Sequence, residues 1–350
     1  MSVSKNWTVL AVPVISVLLG LLAGAIIMLV SGNDPAAGYA ALWNGAFGDS
    51  FYTGETLRQM TPYVFAGLAV AFAFRTGLFN IGVEGQLLVG WLASVWVGLA
   101  FELPKFIHLP LAILAGAAAG AAWGFIPGFL KARLRVHEVI VTIMMNYTAL
   151  HVTNYFIRDV ISDGADATDP VHETASLQSE FLQSITDFSS LHNGIYLAVV
   201  AAIVMWFMLE KTTLGYELRA VGYNQHASEY AGMSVNRNII LSMVISGAFA
   251  GIGGSMQGLG TFGNMFINSG FSGIGFDGIA VALLGGNTAI GVVLAALLFG
   301  ALKVGSLNMP IESGVPNELV EIVIALIIFF VASSYMITWL LGRFKKKEAK

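Results

Sequence analysis

The residues in this chain with chemistry to offer are few, and they gather in three places. "RTGLFNIGVEGQLLVG", residues 75 to 90, sets Asn80, Glu84 and Gln86 among glycines at 77, 82 and 85, immediately before an apolar run. A carboxylate at the centre of a membrane helix costs about 2.5–3.5 kcal/mol on insertion scales, so Glu84 must face protein or water if it lies at depth. Two readings are open. In one, a broken helix lines a pathway and its freed backbone groups border a cavity. In the other, Glu84 is an ordinary acid at a helix start beyond the membrane, where the macrodipole favours it. The same two readings apply to "GIGFDGIAVALLGGN", 273 to 287, where Asp277 and Asn287 flank a run too short to cross. Asn146 and Asn154, with Thr148 and His151, fall inside a third uncharged run. Contact with a solute and bonding between helices both suit them, and the second is the commoner use. Phe79, Trp91 and Trp96 carry faces that could stack on a ring, but near the ends of spans such residues are more often interfacial anchors.

Catalytic chemistry has little to stand on. There is no G-x-x-x-x-G-K-[ST] phosphate loop, no H-E-x-x-H and no G-x-S-x-G. The six histidines, His108, His137, His151, His172, His192 and His226, are scattered, and only His137 beside Glu138 makes a pair, read as a helix-start contact. No metal site is expected, and without cysteine there is neither a disulfide framework nor a thiolate site.

The elements that must position these residues lie in a bilayer. Of 350 residues 56% are hydrophobic and 11% charged, with mean hydropathy +0.76, against about 25% charged in an ordinary soluble domain. The net charge of -4 gives no reason to expect nucleic acid. Uncharged runs able to cross fall at 9–30, 106–130, 139–157, 188–209 and 322–342, with shorter ones at 59–74 and 85–101. From Asn238 to Phe276 there is no charge, yet nine glycines crowd between Gly251 and Gly275. That pattern predicts one full span, a buried irregular return and a short half-helix. The run 278–302 is interrupted at Gly285-Gly286-Asn287 and divides into a short piece and a span. The expected fold is therefore all-α and polytopic, a single transmembrane domain over 1–350 with about ten crossings, eight or nine being alternatives. The first run is too long for a signal peptide and is expected to stay as an anchor.

With both termini in the cytoplasm, thirteen of the 17 basic residues lie inside and only Arg58, Lys105, Arg158 and Lys303 outside, as expected when positive loops resist translocation. The outer loop 158–192 then carries Asp159, Asp163, Asp166, Asp169, Glu173, Glu180 and Asp187. Ten crossings allow two inverted halves of five. "GFLKARLRVHEVIVTI" at 128 is paralleled, with an insertion, by "GALKVGSL" at 300 and "PNELVEIVIA" at 316.

The inner segment 210–237 contains "GYELRAVGYNQHASEYAGMS", polar and compact between two apolar spans. Tyr216 to Val221 favours helix, Gly222 can stop it in the left-handed region, Asn224 can cap a second helix over 225–231, and Gly232 can end that one. Leu218, Val221, Ala227, Tyr230 and Ala231 make a modest apolar face, suited to a groove on another protein. A membrane-surface helix is the alternative, but the lysine-rich face it needs is missing.

This segment resembles the coupling loop of permease subunits of ATP-binding-cassette importers, in the branch serving branched-chain amino acids, ribose and nucleosides. Gly215, Leu218, Arg219, Ala220, Gly222, Asn224, Ala227 and Gly232 match its pattern, and Ser228 departs from it by standing where alanine is usual. "LFNIGVEGQ" at 78 and "FDGIAVALLGGN" at 276 resemble further signatures of the branch, so the likeness runs from about 55 to 340. Its wording is nearest to the longer permease of Gram-positive purine-nucleoside importers. The resemblance implies a plasma-membrane permease with no cofactor of its own. ATP and Mg would be held by a cytoplasmic ATPase docked on the residues above together with Glu217. A second related permease would complete the pathway, a surface lipoprotein would deliver the solute, and lipid would surround the chain. Phe79, Asn80, Glu84, Gln86, Asn146, Asn154, Asp277 and Asn287 become candidates for that pathway. Two other functions compete: an ion-coupled secondary transporter using Glu84 or Asp277, and a membrane-embedded enzyme, which the missing catalytic cluster disfavours.

Overall fold

A computed structural model describes residues 3–333, and among these it is helical, with only two isolated β-bridges, Ala167 with Phe266 and Gln178 with His192. The helices are α1 (Val3–Val30), α2 (Pro35–Phe47), α3 (Ser50–Arg75), α4 (Val83–Ala100), α5 (Lys105–Leu134), α6 (Glu138–Tyr155), α7 (Glu180–Ile185), α8 (Gly194–Lys211), α9 (Thr213–Tyr223), α10 (Gln225–Tyr230), α11 (Val235–Met256), α12 (Ile274–Leu284), α13 (Ala289–Ser306), α14 (Met309–Ser313) and α15 (Asn317–Ala332). Six of them are long and apolar enough to cross a membrane: α1 over Pro13–Val30, α4, α5, α8, α11 with its continuation to Phe262, and α13. The protein is a multi-pass membrane protein. α3, α6 and α15 run in the same bundle. The final run, 322–342, is seen as helix through Ala332 and a turn at Ser333, and residues 334–342, with Arg343, Lys345, Lys346, Lys347 and Lys350, lie outside the described residues.

α3 is the central post, buried continuously from Met60 to Ala73 against α11, α12 and α13. It starts nine residues before the uncharged run at 59–74 because its charges are satisfied: Arg58 Nε donates to Glu55 one turn away, at 2.7 Å. The run at 188–209 errs the other way. Asp187 and Phe188 both have positive φ, the chain stays irregular to Asn193, and helix begins at Gly194. α2 had no counterpart in the uncharged runs; Asp34 caps it and proline stands in its first turn.

Small residues set a close crossing. Gly116, Gly120, Gly124 and Gly128 form a stripe on α5 that meets Gly247 and Gly251 of α11, where a Cβ on Gly120 would stand 2.2 Å from the Gly247 carbonyl oxygen. Lipid offers no hydrophobic force between helices, so contact of this closeness is what holds them.

The glycine-rich run breaks as its composition predicts, but the irregular return is only partly buried, with Ser269, Gly270 and Ser272 exposed. The half-helix begins at the very end of the run and continues across Asp277. α11 loosens into a π-turn over Gln257–Phe262, the chain returns irregularly to Gly273, and α12 is an eleven-residue half-helix. Gly285-Gly286-Asn287 then separates α12 from α13. The two joins of similar sequence lie at opposite ends of the bundle. The α5–α6 turn sits beside α10, whereas the α13–α15 join, its insertion folded as α14, packs on α2 and places Asn308 against Gly45.

Candidate functional site

The broken region assembles at the N-terminus of α12. Asn287, just past the end of α12, accepts a bond from Arg75 Nε at the end of α3, at 3.0 Å. Eleven residues of helix, about 16 Å, separate that end from Gly273, so the start of α12 lies roughly half a span deep. There Glu84 meets it. Its Oε1 accepts from Ser272 Oγ at 2.7 Å and Gly273 N at 3.0 Å, and its Oε2 from Gly275 N at 2.5 Å. Glu84 also stands in the first turn of α4, so one buried carboxylate faces the positive ends of two helices. It is thus a helix-start acid and lies at depth, combining halves of both earlier readings.

The segment between α3 and α4 is tied down group by group. Gly77 turns it at φ +73. Asn80 Nδ2 donates to Gln86 Oε1 and to Ser246 Oγ, and Asn80 Oδ1 accepts from Gly82 N. Asn146 bridges the same turn, accepting from Gly85 N and donating to the Ile81 carbonyl. The structure therefore brings Asn80, Glu84, Gln86 and Asn146 together as the set that satisfies an interrupted helix. Asp277, half-buried, accepts from Tyr63 Oη at 3.1 Å one turn further along α12. Asn154 lies apart, exchanging two bonds with the backbone of Asn268. Phe79 packs on Phe74, and Asn287 belongs to the Arg75 end.

Trp91 is not an interfacial anchor. It is buried, stacks on Phe262 and donates from its indole nitrogen to the Asn264 carbonyl, which is what permits the burial. Trp96 is exposed. Beside the Glu84 cap the chain presents Ser272 and Phe276 at its surface, with Phe271 edge-on to both Phe276 and Tyr147. Sequence reasoning passed over this aromatic and hydroxyl face; its one signal was the Gly/Ser spacing of "NSGFSGIGF".

At the Arg75 end lies the polar segment. Thr212 caps α9 and Asn224 caps α10, accepting from Ala227 N at 3.0 Å, and Gly232 ends the pair at φ +84. Gly222 does not stop α9, which runs on to Tyr223. Its smallness serves a close approach instead, for a Cβ there would lie 2.4 Å from the Arg75 carbonyl oxygen. The apolar face also divides. Leu218 and Val221 are fully buried in this chain, while Ala227, Tyr230 and Ala231 remain outside with Tyr223; the two tyrosines are 96% and 90% exposed. Three further contacts bind the segment to the bundle. Arg219 pairs with Glu210 of α8 at 2.6 Å, Glu217 accepts from Asn238 of α11 at 3.0 Å, and Gly215 lies against the carbonyl groups of Met208 and Leu209. Through these contacts α9 touches the end of α3 as well as α8 and α11.

The loop 156–193 closes the opposite end, pairing Thr168 and Asp166 backbone with Met265 and Ile267, and Leu177 with Leu259. His192 locks it: the imidazole is buried, Nδ1 accepts from Gly194 N at 3.1 Å, and Nε2 faces Thr261 Oγ1 at 3.4 Å. Burial, aided by the positive charge of Arg58, pushes its pKa down from 6.5 to about 4. The folded state therefore excludes a proton that the unfolded chain accepts. The contribution is complete above 6.5 and lost as pH falls towards 4, by up to about 3 kcal/mol. The thermal midpoint of the purified protein should fall over that window, and His192→Gln should flatten the fall; an unchanged slope in the variant would assign it to other groups.

His137 stands at the N-cap position of α6 but makes no side-chain capping bond, and Glu138 takes Lys131 as its partner at 2.7 Å, with His137 at 4.0 Å.

Residues 52–332 match the family described as branched-chain amino acid transport system, permease component. The chain is 67% identical over 345 residues to the guanosine ABC transporter permease protein NupP of Bacillus subtilis (strain 168), covering 99% of each. It is 44% identical to the nucleoside ABC transporter permease protein NupB of Lactococcus lactis subsp. cremoris (strain MG1363), across 97% of this chain and 94% of that one. It is also 30% identical to a second B. subtilis protein, the guanosine ABC transporter permease protein NupQ, over 75% of this chain and 84% of the relative.

Proposed function

The chain belongs to the branched-chain amino acid transport system permease family, as a permease subunit of an ATP-binding-cassette importer and not an enzyme, and we propose that it carries nucleosides across the cell membrane with both termini in the cytoplasm. The single observation that carries the solute class is the 67% identity, end to end, with a guanosine permease. The face formed by Tyr147, Phe271, Ser272 and Phe276 supports it, because aromatic edges and a hydroxyl suit a planar base bearing a sugar. This face lines the pathway, with Asn154 and Asp277 at its margins and Glu84, Asn80, Gln86 and Asn146 holding the broken helices beneath it.

A cytoplasmic ATPase binds ATP and Mg and docks on the exposed parts of α9 and α10, namely Tyr223, Ala227 and Tyr230. Gly215, Glu217, Leu218, Arg219, Ala220 and Gly222 carry its movement inward, and Asn224 and Gly232 shape the segment. A second, related permease completes the pathway. Similarity to both NupP and NupQ of one organism, much stronger to the first, favours a non-identical partner over a second copy. A surface lipoprotein delivers the solute to the acidic outer loop.

The test is uptake of labelled guanosine into vesicles containing the chain, its ATPase and the second permease, with the lipoprotein supplied on the side that delivers solute. Uptake should require ATP and all four proteins. Accumulation by this chain alone, driven by an ion gradient, would overturn the reading.

A further inference from the structure

On the face that carries α9 and α10, a groove of about 710 Å³ opens between α10, the α5–α6 turn and the start of α11. Its charge is unbalanced. Lys131 is neutralised by Glu138, but Arg133 and Arg135 stand exposed with no carboxylate partner among the described residues, and the one acid in the wall is Glu229. Arg135 is held at φ 55 as the C-cap of α5, which fixes the turn that sets both guanidiniums beside the groove. Opposite them α11 begins at Ser234 with no side-chain cap and no acid in its first turn, and Ser234 and Asn236 line the same space. Unsatisfied amides and a positive helix end thus add to two free cations.

The surroundings identify the kind of anion. The arginines alternate with Leu134 and Val136, both exposed, and Phe129 and Ile140 continue an exposed apolar strip up α5 and α6. Basic groups set into the cytoplasmic edge of an apolar, lipid-facing surface take the phosphate while the strip takes the chains. A zwitterionic headgroup would bring its own ammonium against the arginines, so a net negative one is required. We propose that this groove is a binding site for the headgroup of an anionic phospholipid, which braces α10 against the α5–α6 turn. An acidic segment of a soluble partner would explain the arginines but not the exposed strip between them.

Full-length chain reconstituted in phosphatidylcholine nanodiscs doped with phosphatidylglycerol, then released for native mass spectrometry, should retain phosphatidylglycerol above its share in the disc. Arg133→Gln with Arg135→Gln should lower that retention about thirtyfold, two cationic contacts' worth, while Arg133→Lys with Arg135→Lys should keep most of it. Unfolding of the Gln variant is controlled by its thermal midpoint, and the Lys variant keeps the test open should it fail to fold. No enrichment in the unmodified chain, equal retention in the Gln variant, or displacement of the lipid by free glycerol phosphate would overturn the proposal. So would a photocrosslinker at position 135 that captures the ATPase in the complete importer instead of lipid.

Discussion

Gly222→Leu should reduce nucleoside uptake by about ten- to a hundredfold while leaving the solute affinity of the lipoprotein untouched. The argument is steric. α9 crosses the end of α3 so closely that even a methyl group at 222 would stand 2.4 Å from the Arg75 carbonyl oxygen and 3.1 Å from Gly77 N. Those are backbone atoms at the end of the central post, and they cannot swing aside as a side chain would. The remedy open to the chain is for α9 to lift, breaking the seat of Leu218 and Val221 and the Arg219–Glu210 pair together. Overpacking of this kind costs about 1–3 kcal/mol, and set against one of two coupled states it shifts their populations by the factor expected for uptake. Gly232→Ala is the control. At Gly232, by contrast, an added Cβ meets nothing within 4 Å, so the substitution faces only the local strain of φ +84, worth about 1–2 kcal/mol. ATP hydrolysis by the assembled importer should persist in the Gly222 variant without driving uptake. Normal uptake would show that α9 is not the transmitting element.

The two positions also show how far a sequence can be read. The interruption of the run from 238 to 276 was legible because nine glycines disfavour one continuous helix, and the break at 285–287 came out as predicted, although the half-helix itself lies further along, over Ile274–Leu284. The caps at Asn224 and Gly232 were legible because they are local. Gly222 was misassigned because a glycine required for close approach looks, in one dimension, like a glycine that ends a helix. Leu218 and Val221 were assigned to an external partner for a related reason: an apolar stripe states that something covers it, not whether the cover is another protein or the rest of the chain. Charge misled at α3, where the Glu55–Arg58 pair lets helix continue through residues that end an uncharged run. The aromatic and hydroxyl face around Phe271 was invisible because its members come from α6 on one side and the irregular return and start of α12 on the other, more than a hundred residues apart.

Glu84→Ala should be the most damaging single change at depth, lowering stability by about 3–6 kcal/mol and with it the yield of folded chain and all transport. Three donors, Ser272 Oγ, Gly273 N and Gly275 N, depend on this carboxylate. Each of the two backbone donors left unmade costs about 1–3 kcal/mol with no bulk water in the bilayer core to replace the bond, while exposed Ser272 loses less. Alanine also removes the charge that the starts of α4 and α12 both face. Glu84→Gln separates capping from proton carriage. Glutamine keeps one oxygen for Gly273 but turns an amide towards another donor and loses the charge, so an intermediate loss of stability, with uptake falling in proportion to folded protein, is the result capping requires. A carboxylate that carried a coupling proton would behave oppositely: Gln would fold nearly as well as the unmodified chain and still fail to move solute. A thermal midpoint in Glu84→Ala within a degree or two of the unmodified protein would contradict the capping role, because three donors would have lost their acceptor at almost no cost.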